Sequence, residues 1–113
     1  MSKWYSIQLL FKAVIHEELV KHDSKTYEEQ IFVIMANSKD EAHIIAENKG
    51  KEEEVSYKNL YNEELTWKFI KVIDIFEILE EELKSGVEVF SRYLLVPKPS
   101  STPEVLKHYY QEE

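Results

Sequence analysis

The chain has 113 residues, a formal net charge of −8 and no cysteine. This length suits one domain, and the lack of cysteine excludes disulfides, thiolate metal sites and thiol nucleophiles. With only two glycines, a glycine-rich phosphate loop is excluded as well. Arg92 is the sole arginine of an evenly acidic chain, which argues against nucleic-acid binding and favours a basic protein as a partner.

Two strands are predicted in the first third of the chain. Residues 3–15 alternate between odd-numbered apolar positions and a mixed second face, which is typical of a strand covering a core. Residues 27–36 contain the run Ile31 to Met35, which is apolar on both faces and indicates a central strand covered on both sides. The polar residues 16–26 between them predict a hairpin with a long, mobile loop.

The clearest element is a helix over residues 38–50. Ser38 and Glu41 have the spacing of a capping box, in which each side chain bonds the other residue's amide. Ala42, Ile45 and Ala46 then form an apolar stripe, and alanines allow a helix to lie close to a sheet. Gly50 is predicted to end the helix in the left-handed conformation.

The second half of the chain is predicted to contain three strands. Residues 55–57 indicate a short strand, and residues 59–62 indicate a turn in which asparagine tolerates a left-handed backbone. Residues 65–78 form the longest apolar pattern, and a strand of that length usually carries a bulge. Residues 87–95 predict a last strand, which ends before Pro97.

The sequence therefore predicts an α+β fold with a single antiparallel sheet of about five strands and one main helix packed on a face. We assign residues 1–96 to a single domain and residues 97–113 to a proline-led tail. Thr102 and Pro103 predict the start of a short C-terminal helix in that tail. Whether this helix docks on its own domain, on another subunit or on nothing stays open.

Several short motifs occur in the order of these elements: Trp4-Tyr5-Ser6, Ser38-Lys39-Asp40-Glu41-Ala42, Tyr57-Lys58-Asn59, Trp67-Lys68-Phe69, Val72-Ile73-Asp74 and Glu88-Val89-Phe90-Ser91-Arg92. Together with the order of the elements, these motifs resemble a family of small bacterial proteins catalogued as a domain of unknown function. The resemblance covers roughly residues 3–95. It implies a bacterial, cytoplasmic, single-domain α+β protein and carries over no activity, cofactor or catalytic residue.

Five residues are the candidates for a binding site: Trp4, Tyr57, Trp67, Glu88 and Arg92. The three aromatic side chains are hypothesised to line a pocket or patch, with core filling as the alternative. Glu88 and Arg92 share a face of the predicted last strand, where an arginine suits an anion or a partner. A cross-strand ion pair of Arg92 with Asp74 is the alternative.

Weak candidates for metal ligands are His16 and His22. They lie in the predicted loop, and their spacing differs from the His-Glu-x-x-His motif that places two imidazoles on one helical face. A solvated loop is the alternative interpretation. We expect no cofactor.

The leading functional hypothesis is a non-enzymatic interaction module, in one version an immunity-like protein that sequesters a basic partner. The alternative is a small ligand-binding or hydrolase-like domain with a cleft around Glu88, Arg92 and a histidine. Apolar residues on both faces of two strands also suggest a homodimer. Residues 1–5 lead directly into patterned sequence, without the apolar core of a secretory signal, so a cytoplasmic location is expected.

Overall fold

A computed structural model describes residues 2–111 and consists of one four-stranded antiparallel sheet and two helices. The elements are β1 (Lys3–Ile15), β2 (Tyr27–Ala36), α1 (Lys39–Glu52), β3 (Val55–Lys58), β4 (Glu64–Ile78) and α2 (Thr102–Tyr110). The strands lie in the order β2-β1-β4-β3. The α+β class, the single antiparallel sheet and the main helix are confirmed, with four strands in place of about five.

The core lies between one face of the sheet and α1. The odd-numbered side chains of β1 face the helix, and Ile7, Leu9 and Phe11 are fully buried there. Phe11 contacts Phe69 of β4 with ring centroids 5.7 Å apart. The predicted irregularity of the long strand is confirmed, because β4 shifts register twice against β1, next to Leu9 and next to Phe11. We refer to the opposite side of the sheet as the second face.

Helix α1 begins as predicted and ends later than predicted. The Ser38 hydroxyl accepts a hydrogen bond from the Glu41 amide at 3.1 Å, whereas the Glu41 carboxylate accepts from the Asn37 side chain. The helix continues through Gly50, so the predicted left-handed end at this residue is wrong. The cause is packing: a Cβ at Gly50 would overlap the ring of Phe69, and the glycine lets α1 approach β4.

The Ser38→Ala variant is expected to lower the free energy of unfolding by about 1 kcal/mol, because the first turn of α1 loses its cap. The matched control is Ser101→Ala, which removes the corresponding cap of α2. Since α2 packs on no strand of the described chain, this control is expected to leave the global unfolding transition unchanged. Urea unfolding followed by fluorescence measures the free energy of unfolding of both variants. An equal decrease in Ser38→Ala and Ser101→Ala would contradict the prediction.

Residues 87–95 do not form the predicted last strand. They pair with no strand among residues 2–111 and instead lie over the second face. There Phe90 meets Phe76 of β4 with ring centroids 6.0 Å apart. Phe90 is half-buried by this contact, whereas Val89, Tyr93 and Leu95 stay exposed, so the apolar pattern of the segment is not that of a paired strand.

Strand β2 is an edge strand, so its predicted central position is wrong. Its inner edge pairs with β1 from Tyr27 to Ala36. The backbone hydrogen bonds described outside the ladders and helices include none from this strand. The continuous apolar run reflects two different environments. Phe32 and Ile34 pack toward α1, whereas alternate residues of the strand stay exposed on the second face.

Helix α2 stands away from the sheet. Its cap is Ser101, one residue before the predicted Thr102, and Pro103 lies in its first turn. In the part of the chain that the structure describes, α2 packs on none of the strands. The radius of gyration, 17.9 Å, accordingly exceeds the value of about 13 Å for a compact domain of this size. The division at residues 96 and 97 stays a prediction, and Met1 and residues 112–113 lie outside the described residues.

Candidate functional site

The buried carboxylate of Glu63 connects the β1–β2 loop to the β3–β4 turn. Its side chain is fully shielded from solvent and accepts four hydrogen bonds. Oε2 accepts from the backbone amides of Leu19 and Val20, at 2.7 and 3.3 Å. Oε1 accepts from His22 Nε2 at 2.8 Å and from Asn59 Nδ2 at 2.9 Å. The loop, predicted to be mobile, is therefore anchored at three of its residues.

The turn between β3 and β4 orients Asn59 toward this carboxylate. Asn59 Oδ1 accepts from the amides of Tyr61 and Glu63, which leaves the Nδ2 group to face the Glu63 side chain. Asn62 has a φ of 64°, so the predicted left-handed asparagine in this turn is confirmed. The two asparagines thus close the turn and hold the donor that the carboxylate needs.

These hydrogen bonds keep Glu63 ionised. They lower its pKa from an ordinary value of 4.5 to about 2, with the Asn59 amide as the largest cause. Burial opposes this shift, and the bonds from Leu19, His22 and Val20 add to it. An ionised carboxylate only accepts hydrogen bonds, so the proton between Glu63 and His22 is on Nε2 of the imidazole.

The two histidines of the loop are held by different partners. His16 Nε2 lies 2.7 Å from Thr66 Oγ1, which lies 2.7 Å from Ser56 Oγ. His22 is bound to Glu63 and meets Tyr61 edge to face. Among residues 2–111, no group of three or more His, Cys, Asp or Glu is placed to hold a metal ion. A zinc titration remains the test of the weak metal candidates.

A cavity of about 340 Å³ opens beside His22 and Asn59. Its basic and polar lining comes from β1, the loop and the turn, and its apolar lining from β1 and β4. The residues that line it are Lys12, Ala13, Val14, Ile15, Glu18, His22, Ser24, Lys25, Thr26, Asn59 and Leu65. We call this the loop cavity. No motif of the sequence predicted this cavity.

The aromatic candidates are brought together only in part. Trp67 Nε1 donates to the Tyr57 hydroxyl at 2.9 Å, between β4 and β3 on the face that carries α1. Trp67 also packs against the core, as the core-filling alternative requires. Trp4 lies at the other end of β1, opposite Met35 and Ile78, and is remote from this pair.

Arg92 and Glu88 do not share a cleft. Arg92 lines a cavity of about 310 Å³ on the second face together with Glu29, Asp74 and Phe90. Glu88 is exposed and is not among the described residues that line this cavity, and neither is a histidine. The arrangement that the hydrolase-like alternative requires is therefore not formed.

Strand β2 presents an exposed apolar stripe on the second face. Ile31, Val33 and Met35 alternate along the strand and are 51%, 40% and 49% exposed. We call these three residues the β2 stripe. Two glutamates, Glu28 and Glu29, precede them, and the strand contains no basic residue.

The comparison with known proteins identifies one family. The sequence model described as "Domain of unknown function (DUF4288)" matches residues 4–91. This chain is a member of the DUF4288 family. The resemblance to a small domain-of-unknown-function family is thereby confirmed, while the bacterial origin stays a prediction. No curated protein and no solved structure matches the chain.

The DUF4288 match includes the loop cavity, Glu63 and the β2 stripe, which lie within residues 4–91. Arg92 and α2 lie outside the matched range. Within the described range, neither helix is long and apolar enough to cross a membrane.

Glu63 was missed because nothing local distinguishes it from the other acidic residues, of which the chain has 22 with aspartate included.

Proposed function

We propose that this DUF4288 member is a non-enzymatic interaction module that binds a basic protein along strand β2. The observation that carries the proposal is the combination of an open ten-residue edge with a half-exposed apolar stripe. An unpaired edge is a template for strand addition, in which backbone hydrogen bonds give affinity and side-chain contacts give selectivity. The other edge, β3, is only four residues long.

Charge supports a basic partner over an acidic one. Glu28 and Glu29 lie on β2 itself, and the whole chain carries a formal net charge of −8. Arg92, which lines a cavity on the second face, shares that cavity with two carboxylates, from Glu29 and Asp74. Complementary charge speeds association and selects among partners, while the β2 stripe supplies apolar contact.

A specific form of the proposal is immunity-like sequestration, in which the bound partner is a basic toxin or enzyme in the bacterial cytoplasm. Homodimerisation through the same edge is the competing use of this surface, since two β2 strands can also pair with each other. Sedimentation that shows a monomer at micromolar concentration would exclude the dimer and leave the edge free for a partner.

The proposal is tested with a labelled peptide of alternating valine and lysine, compared with a valine–glutamate peptide of equal length. We expect the lysine peptide to bind more tightly, and added salt to weaken it because exposed charges are screened. The Val33→Lys variant places a positive charge in the β2 stripe and is expected to weaken binding about tenfold or more. Fluorescence anisotropy measures each affinity.

The matched control is Ile44→Lys, because Ile44 is an equally apolar residue exposed on α1, and this change should leave binding as in the unmodified chain. Two outcomes contradict the proposal. One is equal binding of the two peptides, and the other is equal loss in Val33→Lys and Ile44→Lys.

A further inference from the structure

We propose that the loop cavity binds a small organic carboxylate. Its lining includes the side chains of Lys12 and Lys25 and the apolar side chains of Val14 and Leu65. The volume, about 340 Å³, is within the range of pockets for small ligands. Cationic groups would hold the carboxylate and the apolar wall would cover the hydrocarbon part.

The charge of the lining sets the class of ligand. Two lysines against Glu18 leave one net positive charge among these three side chains, while His22 is turned toward Glu63 through Nε2. One positive charge balances a carboxylate, whereas a phosphate monoester carries between one and two negative charges at neutral pH and would be left with an excess. This local balance is opposite in sign to the chain, which is acidic throughout.

Two other cavities in the described part of the chain have linings of opposite net charge. The cavity around Arg92 contains the carboxylates of Glu29 and Asp74. A further recess is lined by three glutamates, residues 80–82, and by Lys84. Both linings have net negative charge, so an anionic ligand is attracted to the loop cavity in preference to these two.

The walls of the loop cavity are held in place before any ligand arrives. Glu63 fixes the orientation of the His22 ring through Nε2. The Ala13 amide donates to the Thr26 carbonyl at 2.9 Å and closes the ends of the loop. Lys12 Nζ lies 5.8 Å from the centre of the Tyr27 ring. Such preorganisation lowers the entropy lost on binding.

This inference is independent of the proposed function. The loop cavity and the β2 stripe share no residue, so peptide binding and carboxylate binding are separate measurements. Binding of the basic peptide tests the proposed function, and binding of the carboxylate tests the loop cavity, so either proposal can fail while the other holds.

The test is a titration of ¹⁵N-labelled protein with benzoate, benzyl alcohol and phenyl phosphate, followed by amide chemical shifts. Benzoate is expected to shift the amides of residues 12–15 and 22–26, with a dissociation constant in the millimolar range or below. Benzyl alcohol has the same ring without the charge and is expected to bind at least tenfold more weakly. Phenyl phosphate is expected to bind no more tightly than benzoate.

Variants identify the groups that hold the carboxylate. The Lys12→Gln/Lys25→Gln double variant is expected to weaken benzoate binding about tenfold or more. Lys21→Gln removes a lysine of the same loop that does not line the cavity, and should change the affinity less than twofold.

Four results would overturn the proposal. They are no shift of cavity residues with benzoate, equal binding of the alcohol, tighter binding of phenyl phosphate, or an unchanged double variant. If the double variant fails to fold, the comparison of the three probes on the unmodified chain still decides.

Discussion

The Glu63→Gln variant is expected to lose stability at neutral pH and to lose part of the acid dependence of unfolding. In the unmodified chain each of the two carboxylate oxygens accepts two hydrogen bonds from N–H donors. Glutamine keeps one accepting oxygen and replaces the other by an NH₂ group. Because each carboxylate oxygen faces two N–H donors, the NH₂ group would face donors whichever way the amide is turned. A buried donor pressed against donors is costly, so the β1–β2 loop should detach.

The sign of the pH effect follows from the lowered pKa. Because the pKa of Glu63 is about 2 in the folded state and ordinarily 4.5, the unfolded state binds more protons between these values. The stability contributed by Glu63 is therefore complete above pH 4.5 and is lost as the pH falls toward 2. In Glu63→Gln this contribution is absent at every pH, so the difference from the unmodified chain shrinks as the medium becomes acidic.

The measurement is urea unfolding followed by the fluorescence of the two tryptophans, at pH values on both sides of this window. Glu64→Gln is the matched control, since its side chain is adjacent in sequence and exposed. We expect the control to keep the acid dependence of the unmodified chain. A difference between Glu63→Gln and the unmodified chain that stays constant with pH would contradict the assigned role.

The Gly50→Ala variant is expected to lower the free energy of unfolding by about 1–3 kcal/mol, because the added methyl group overpacks the core. In an exposed helix the same substitution raises stability by about 0.5–1 kcal/mol, so the expected sign is reversed. The reason is the ring of Phe69, which occupies the space of a Cβ at this position. To make room, α1 must move away from β4 or Phe69 must leave its contact with Phe11.

Two further variants separate overpacking from helix propensity. Asn48→Ala changes an exposed residue of the same helix and is expected to be neutral or slightly stabilising. Phe69→Leu in the Gly50→Ala background should recover part of the loss, because the smaller side chain frees space for the methyl group. Thermal or urea unfolding measures each of them, and a stabilised Gly50→Ala single variant would refute the close approach of α1.

Local sequence patterns were sufficient for most of the regular elements. The alternation over residues 3–15 and the apolar run within residues 27–36 predicted β1 and β2 with the same bounds. Ser38 located the start of α1 because a cap acts within one turn. The helix end was wrong because Gly50 serves a contact with a strand about twenty residues later, and no local pattern records that contact.

The candidate site was much less accessible to sequence reasoning. The pairing of Trp67 with Tyr57 depends on β3 lying beside β4, and it was not distinguishable from core packing beforehand. Glu88 and Arg92 were placed on one strand face, but the segment covers the sheet in irregular form and the pair has no common cleft. The loop cavity and Glu63 were not found.

By itself, the sequence determined the α+β class, the capped helix α1 and the three long strands β1, β2 and β4, because these follow from interactions between near neighbours in the chain. Only the tertiary structure decided that β2 is an exposed edge, that residues 87–95 cover the second face and that Glu63 is a buried anchor. The hydrogen bond from the Leu19 amide to Glu63 spans 44 residues. Partners so far apart meet only when the sheet has formed, and side-chain periodicity carries no information about which of many glutamates they will meet.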